Sequence, residues 1–515
     1  MFKNIHLLSL IMLSILYSHI DLVYSQSLKT YQIKSGFGSP LPPSNAINDI
    51  VVNNDTIWFG TERGLCFTTD DGNSWFNLAN SYGFDNKGVS AIAIKGNNIW
   101  VALGYITYLD NEPVQTGGGI HYSTDHGNTW HYIPQPVDHN VIDTIVYGNN
   151  KVIALPTTVP QFNITFDIAI SSNYVWIASW AGMLRRKHIH PDSTTWERII
   201  LPTDNLNYIS PFDSITFELS PVANNNHKVF SIYISNDSTI WVGTAGGINK
   251  STDGGTSWQK FSHENQSQAI SGNFVVALNE QTWRNNKIMW AATVNADNPN
   301  EIKGLSFSFD GGESWKTTLL GEWVHNIAFK DSIVYAATDN GLFRTSDFGN
   351  SWTSSGDIYD TESLQKFALR ECYCVGIKGD TVWYGGPEGI AYTIDSPLKP
   401  FGTQWKIFRT YESVLNRNKT YAYPNPFAPD DESTRIHYAI ENGSSATQSV
   451  TIRIFDFAMH PVRTIIQNAP RQTGKEYDEI WDGKNNNNTV VANGVYFYCV
   501  ETGNSKQWGK ILVLR

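Results

Sequence analysis

Cysteine is scarce in this chain, with four in 515 residues, at Cys66, Cys372, Cys374 and Cys499. That number makes no disulfide framework. Cys372 and Cys374 lie two apart and would share a face of a strand. No further ligands accompany them, so they read as small buried hydrophobes and not as half of a metal site. Basic charge is also short: 37 Lys and Arg against 48 Asp and Glu leave a formal charge of −11. This excludes broad electrostatic binding to nucleic acid or anionic lipid. Long helical periodicity is missing after the N-terminus, and no later apolar run is long enough to cross a bilayer. There is no HExxH, no Gly-x-Ser-x-Gly elbow and no phosphate-cradling glycine loop. His188-Ile-His190 places two imidazoles on one face of a strand without a third ligand, so no metal or cofactor is expected.

The N-terminus reads as a signal peptide over 1–25. Lys3 supplies the positive start, Leu7 to Tyr17 the apolar run, and Val23-Tyr-Ser25 before Gln26 the cleavage site. His19 and Asp21 interrupt the apolar stretch too early for a membrane span. No cysteine is near for a lipid anchor, so the mature chain is expected to be exported without a transmembrane span.

What is abundant is aromatic and turn-forming: 18 Trp, 24 Tyr and 40 Gly. One phrase is written five times. Its anchor residues are Asp70, Gly72 and Trp75; Asp125, Gly127 and Trp130; Asp253, Gly255 and Trp258; Asp310, Gly312 and Trp315; Asp347, Gly349 and Trp352. Each copy opens with Ser or Thr two residues before the Asp and carries another directly before the Trp. The Asp can accept backbone N–H groups ahead of it, Gly supplies a positive φ, and Trp carries apolar area into the space beneath. The phrase predicts a tight turn between antiparallel strands, with structural rather than catalytic aspartates.

A second pattern precedes each turn: an alternating strand, an Asn/Asp/Gly turn, then a strand with Trp or Tyr. Copies end at Trp58, Trp100, Trp176, Trp241, Trp290, Tyr335 and Trp383. Two units have decayed turns, one through Pro191 to Trp196 and one through Thr393-Ile-Asp395 to Trp405. Seven four-stranded units over about 30 to 410 predict an all-β, seven-bladed β-propeller occupying 26–410. The five-fold phrase resembles the Asp-box (BNR) repeat of sialidases, sortilin-type receptors, xyloglucan hydrolases and photosystem II assembly factors. That resemblance implies turns lying away from the ligand face. The fragments Ile240 to Ile248 and Val382 to Ile390 also resemble the propeller repeats of two-component sensor ectodomains.

From about Tyr411 the pattern changes. A proline-punctuated entry, Tyr423-Pro-Asn-Pro-Phe427, leads into short alternating strands, predicting an Ig-like β-sandwich over 411–515. Tyr423 to Phe427, the strand at 450–455 leading to Val462-Arg463, Trp481-Asp-Gly-Lys484, Ala492 to Phe497 and Lys510 to Leu514 resemble the C-terminal sorting domain of type IX secretion cargo. They are also similar to the Ig-like domain of the flagellar hook-capping protein. The resemblance implies a Gram-negative bacterium, Sec export, and handover to outer-membrane secretion machinery; a plain adhesive Ig-like module is the alternative.

A ligand would sit on the top face, formed by loops between second and third strands and by connections between units. The richest such loop runs from Gly104 to Gly119, with Tyr105, Tyr108, Asp110 and Glu112. Trp180, the basic run Arg185 to His188, Asn295, Asp297, Asn298 and Glu388 are further candidates. Asp110, Glu112, Asp167, Asp297 and Glu388 could supply a glycosidase carboxylate pair, but the sequence brings no two together. The sialidase resemblance lacks the Arg-Ile-Pro phrase and an arginine triad. The xyloglucanase resemblance covers one ring where those enzymes use two. The expected function is therefore a secreted or surface propeller binding a glycan or extracellular protein, exported through its C-terminal domain. The alternatives are a glycoside hydrolase on the same scaffold and an assembly factor for a membrane complex.

Overall fold

The computed structural model describes residues 29–32 and 41–514, apart from 79–82, 85–86, 111, 140–141, 191–194, 411–419, 430–432, 441–446 and 504. The expected signal peptide, and most of the decayed turn beginning at Pro191, lie outside the described residues.

Among the described residues, seven antiparallel sheets follow one another, spanning 47–77, 88–133, 165–198, 229–261, 274–318, 324–354 and 374–408. In each, four strands pair in chain order, as alternating apolar runs joined by short polar turns require. The second sheet gains a fifth strand, Lys29–Gln32, against Thr129–Ile133. The fourth gains Tyr208–Ile209 against Trp258–Phe261. A separate two-stranded ribbon, Asp143–Tyr147 with Asn150–Ala154, is inserted between sheets 2 and 3.

The first strand of every sheet packs beside the first strand of the next, and that of sheet 7 packs beside that of sheet 1. The sheets therefore close into a ring. Each innermost strand has an unpaired edge, and from sheet 2 to sheet 6 side chains of the preceding sheet bond backbone groups on it. Asn48 donates to the Val89 carbonyl at 2.9 Å and Asp49 accepts the Ile92 N–H at 2.8 Å. Ser90 donates to the Thr165 carbonyl at 2.7 Å, and Asp167 accepts the Ile232 N–H at 2.8 Å. Ser231 and Asn279 continue the series to Val275 and Ile327. Lys330 reaches Asp380, and Lys378 closes the circle on Asp71 at 2.7 Å.

Apolar clusters fill the gaps between neighbouring sheets. Between the last and the first, Trp383 and Ile390 meet Phe59 and Trp75. The repeated phrase builds these gaps. In all five copies the opening hydroxyl donates to the Asp carboxylate and accepts the Gly N–H, while the later Ser or Thr donates through both N–H and hydroxyl to the same carboxylate. The hydroxyls of Ser351 and Thr345 accordingly hold the Asp347 carboxyl down at about 2. The turn needs two successive positive φ values where the sequence suggests only one. Asp71 at 56° precedes Gly72 at 88°, and Phe348 at 55° precedes Gly349 at 81°. The Trp lies against its own turn, where Trp258 and Trp315 donate through Nε1 to the Gly255 and Gly312 carbonyls, and it also fills the gap to the preceding sheet: Trp130 meets Trp58, and Trp258 joins the cluster of Trp176.

Of the two decayed positions, the one at Asp395 is described. Asp395 is buried and accepts hydrogen bonds from Tyr335 and Arg344 of sheet 6, so it clamps two sheets instead of closing a turn. Cys372 and Cys374 do not share a face. Tyr373 and Cys374 both oppose Gly385, and this local irregularity sends the two thiols into different clusters. All four cysteines are buried and unpaired with one another.

After the ring, a three-stranded sheet (Tyr421–Tyr423, Thr434–Ala439, Glu476–Trp481) faces a four-stranded one built from Thr447–Phe455, Pro461–Gln472, Gly494–Thr502 and Ser505–Val513. Their shared core holds Phe427, Trp481, Tyr496 and Tyr498. This C-terminal module touches the ring. Arg63 donates to the Ser433 carbonyl at 2.7 Å, and Arg435 pairs with Glu62 at 2.9 Å.

Candidate functional site on the ring face

Strand direction alternates within each sheet, so the starts of the innermost strands share a face with the turns between second and third strands. The expected loop at 104–119 is on this face, but it is not a loop. Strands Asn98–Leu109 and Glu112–Ser123 stay paired out to Leu109 and Glu112. The alternating Tyr105-Ile-Thr-Tyr108 stretch has high β propensity and continues the ladder past the irregularity at Leu103 and Gly104. Asp110 sits at the tip with φ 51°, and Glu112 is exposed beside it.

Tyr105 and Tyr108 are both partly exposed along this ribbon. The Lys87 ammonium lies 5.8 Å from the Tyr105 ring. Tyr108 accepts a hydrogen bond from Arg471 of the C-terminal module at 2.6 Å, with the guanidinium 5.2 Å from its ring. Burial and the nearby Glu479 carboxylate push its phenol pKa up.

Trp180 does take part in a cavity. It meets Phe162 edge to face at 5.0 Å, and together with Pro113, Val114, Ile164 and Phe166 they enclose about 210 Å³ between the ribbon and sheet 3. Phe162 has a φ of 56°, rare for so bulky a residue. It is held there by its N–H to the Gln115 carbonyl and by Ala181, whose N–H reaches the Phe162 carbonyl. From the cavity an aromatic arc runs across three innermost strands: Phe166 to Phe230 at 5.0 Å, then Phe230 to Phe274 at 4.4 Å. Phe166 and Phe230 occupy bulge positions, where the strand register slips. Across the ring, His325 meets Asp339 at 2.6 Å and Tyr373 donates to Glu371 at 2.9 Å, with the two rings 5.5 Å apart. Burial and the neighbouring Glu371, Glu62 and Asp339 push the Tyr373 phenol pKa up.

Several expected site residues lie elsewhere or are held internally. Arg185 to His188 belong to strand Met183–His188, where Arg185 and Lys187 are buried. His188 accepts the His190 N–H through Nδ1, and among the described residues no group of three or more potential metal ligands occurs. Glu388 accepts the Ala368 N–H and pairs with the nearly buried Arg409 at 3.2 Å, which fixes it as a brace. Asp297 accepts from Asn225, Asn298 donates to Glu264, and Asn295 donates to the Glu301 carbonyl. Asp167 lies deep among the innermost strands, where burial raises its carboxyl to about 7, with a further push from Asp49. Of the five candidate carboxylates, Asp167 and Glu388 are thus taken up by bonds within the fold. The arc residues Phe162, Phe166, Phe230 and Phe274 carry no sequence motif; only the positions of Phe166, Phe230 and Phe274 at strand starts could have marked them.

No family model matches the chain, and no curated protein does. Solved structures similar to it include PorZ, described as a surface component of the type-IX secretion system of Porphyromonas gingivalis. That likeness has 12% identity, covers 91% of this chain and 81% of that one, and has a TM-score of 0.33. An ancestral GH74 enzyme is similar at 15% identity, covering 93% and 64%, with a TM-score of 0.49. YCF48 from Cyanidioschyzon merolae is similar at 15%, covering 71% and 98%, with a TM-score of 0.41. The class follows from the sheets themselves: all-β meanders ringed innermost strand to innermost strand define a β-propeller. This chain is a β-propeller protein.

Proposed function

We propose that this is a secreted or surface-displayed seven-bladed Asp-box propeller that binds a glycan or an extracellular protein through its top face. Its C-terminal Ig-like module serves as a sorting domain that engages the outer-membrane secretion machinery of a Gram-negative cell. One observation carries the binding reading: the aromatic arc from Trp180 and Phe162 through Phe166, Phe230 and Phe274, beside a cavity of about 210 Å³. Aromatic faces next to a polar ribbon suit the apolar face and hydroxyl edge of a sugar, or an aromatic or aliphatic side chain of a partner. The asymmetry of the face adds support, since the apolar arc stands opposite Asp339 and Glu371. Glycan-array and pull-down experiments with the mature protein test the reading, with Trp180→Ala as the control. Binding that survives Trp180→Ala unchanged would remove it.

A glycoside hydrolase is the second reading. It is favoured by Asp339 and Glu371, two carboxylates that bond His325 and Tyr373, whose rings adjoin. Turnover of a polysaccharide, lost in Glu371→Gln, would promote it over binding alone.

A further inference from the structure

A second cavity, of about 520 Å³, opens at the outermost strand of sheet 3. Two unbroken runs of chain form its walls: residues 143–148 of the inserted ribbon, and residues 196–200 along the outer edge of sheet 3. Side chains of a strand alternate between faces, so an unbroken run lines a cavity with its backbone edge.

Register fixes which backbone groups those edges present. In the ribbon, Gly148 at φ 59° opens a two-residue turn, so Tyr147 and Asn150 exchange their N–H and C=O bonds. Bonded and non-bonded pairs alternate from there, which points the N–H and C=O of Thr144 and Val146 away from Asn150–Ala154. In sheet 3 the Ile199 N–H reaches the Leu184 carbonyl at 2.9 Å. Arg198 opposite Arg185 is therefore a non-bonded pair, and its N–H and C=O point outward as well. Among the described residues these outward groups have no hydrogen-bond partner. The other edge of the ribbon is taken: the Leu155 N–H bonds the Leu219 carbonyl, and the Leu219 N–H the Ile153 carbonyl, both at 2.9 Å. Sheets 2 and 4, on either side, each carry a fifth strand on their outermost strand, Lys29–Gln32 and Tyr208–Ile209. Sheet 3 has no such strand among the described residues, and the cavity lies along the edge it would cover.

We propose that this cavity receives an extended, basic peptide segment of a partner protein, which adds a strand between sheet 3 and the ribbon. Main-chain bonds to Thr144, Val146 and Arg198 hold it. Alternation divides its side chains into two rows. One row meets Ile145, Ile199 and Ile200, which line the cavity and pack in one apolar cluster. The charge around the groove selects the other row. Arg185, Arg186 and Arg198 are matched by Asp138, Glu197 and Asp143. Asp213 and Asp253 lie close enough to Tyr147 to join burial in pushing its phenol pKa up, and neither has a basic partner among the described residues. The surplus is negative, so lysine or arginine suits the outward row. The site is separate from the top face and does not rest on the function proposed for it.

The test is fluorescence anisotropy of the full mature chain with four labelled octapeptides that alternate lysine with valine, isoleucine, threonine or tyrosine. At least one should bind at sub-millimolar concentration. Exchanging its lysines for glutamate should weaken binding tenfold or more. Methylating every second backbone nitrogen should do the same, because a strand between two others bonds through both edges. Val146→Pro removes an outward N–H that the ribbon does not use, under a side chain that is 73% exposed. It should give the same loss with the thermal midpoint unchanged. The proposal is overturned if none of the four peptides binds, or if the methylated or glutamate form binds as tightly as its parent; these readings use the native chain. Sedimentation gives one more outcome: a dimer that Val146→Pro dissolves and no peptide displaces assigns the groove to a second copy and overturns the proposal too.

Discussion

Arg471 donates to the Tyr108 hydroxyl across 363 residues of sequence. Tyr108 is paired in the ribbon with Pro113, which itself lines the aromatic cavity. The C-terminal module therefore leans on the same ribbon that walls the candidate binding site. Arg471 also holds Glu479 at 2.7 Å with both side chains nearly buried. Tyr108→Phe should cost about 1 kcal/mol. Arg471→Ala should cost about 3–5 kcal/mol in the C-terminal module, because it strands Glu479. A double-mutant cycle read by thermal unfolding checks the coupling between them.

The two positive-φ positions of the repeated turn should respond differently to substitution. Gly254 has open space around it, and Asp71, His126 and Phe348 occupy its equivalent in other copies. Gly254→Asn should shift stability by less than about 1 kcal/mol, since Asn tolerates this backbone region. A Cβ on Gly255 would lie 2.7 Å from Trp176. Gly255→Asn should therefore cost at least about 2 kcal/mol by chemical denaturation. Trp258→Ala, which empties the same gap, should cost about 3–5 kcal/mol.

Stability should depend on pH with two limbs. Burial raises Asp49 to about 6 and Asp167 to about 7, against 3.8 for the unfolded groups. The folded state holds more protons in this window, so stability falls as pH rises from about 4 to about 7. Asp167→Asn should flatten that decline while keeping an acceptor for the Ile232 N–H. Asp347 has the opposite sign: it is held down at about 2, so its contribution is present above 3.8 and is lost as pH falls toward 2. Thermal midpoints from pH 2 to 8 for the native chain, Asp167→Asn and Asp347→Asn test both limbs.

Removal of the chain after Tyr421 should leave a folded ring retained in the periplasm of an expressing Gram-negative host. Cell fractionation and surface proteolysis read this directly. Normal surface delivery of the truncated protein would defeat the sorting role.

The repeat was readable because its chemistry is local. An Asp, a Gly and two hydroxyls within eight residues close their own turn, and the strand with Trp or Tyr follows from alternation. The closing of the sheets into a ring also follows, since each sheet needs a neighbour to cover its faces. What the sequence left hidden depends on which side chains face each other across sheets. Glu388 looks free in a glycine-rich turn, yet Arg409 holds it from another strand. Phe166, Phe230 and Phe274 lie many residues apart and meet only because the ring brings their strands side by side. The Tyr105 to Tyr108 stretch was misread as a loop because a ladder longer than its neighbours leaves no local mark. The inserted ribbon at 143–154 breaks the repeat, so no periodicity pointed to it.

The ring joins its ends through side chains, since sheets 1 and 7 are each built from one continuous stretch of chain. At the join, Thr410 reaches Asn45 at 2.8 Å and Pro42 at 2.7 Å, and Phe59 meets Trp383 at 5.6 Å. A pull on the C-terminal end loads the Arg63–Ser433 and Arg471–Tyr108 contacts of the C-terminal module and then this seam, which among the described residues no shared strand crosses. Under mechanical load the ring would unzip from its last sheet backward, which makes the seam its tensile limit.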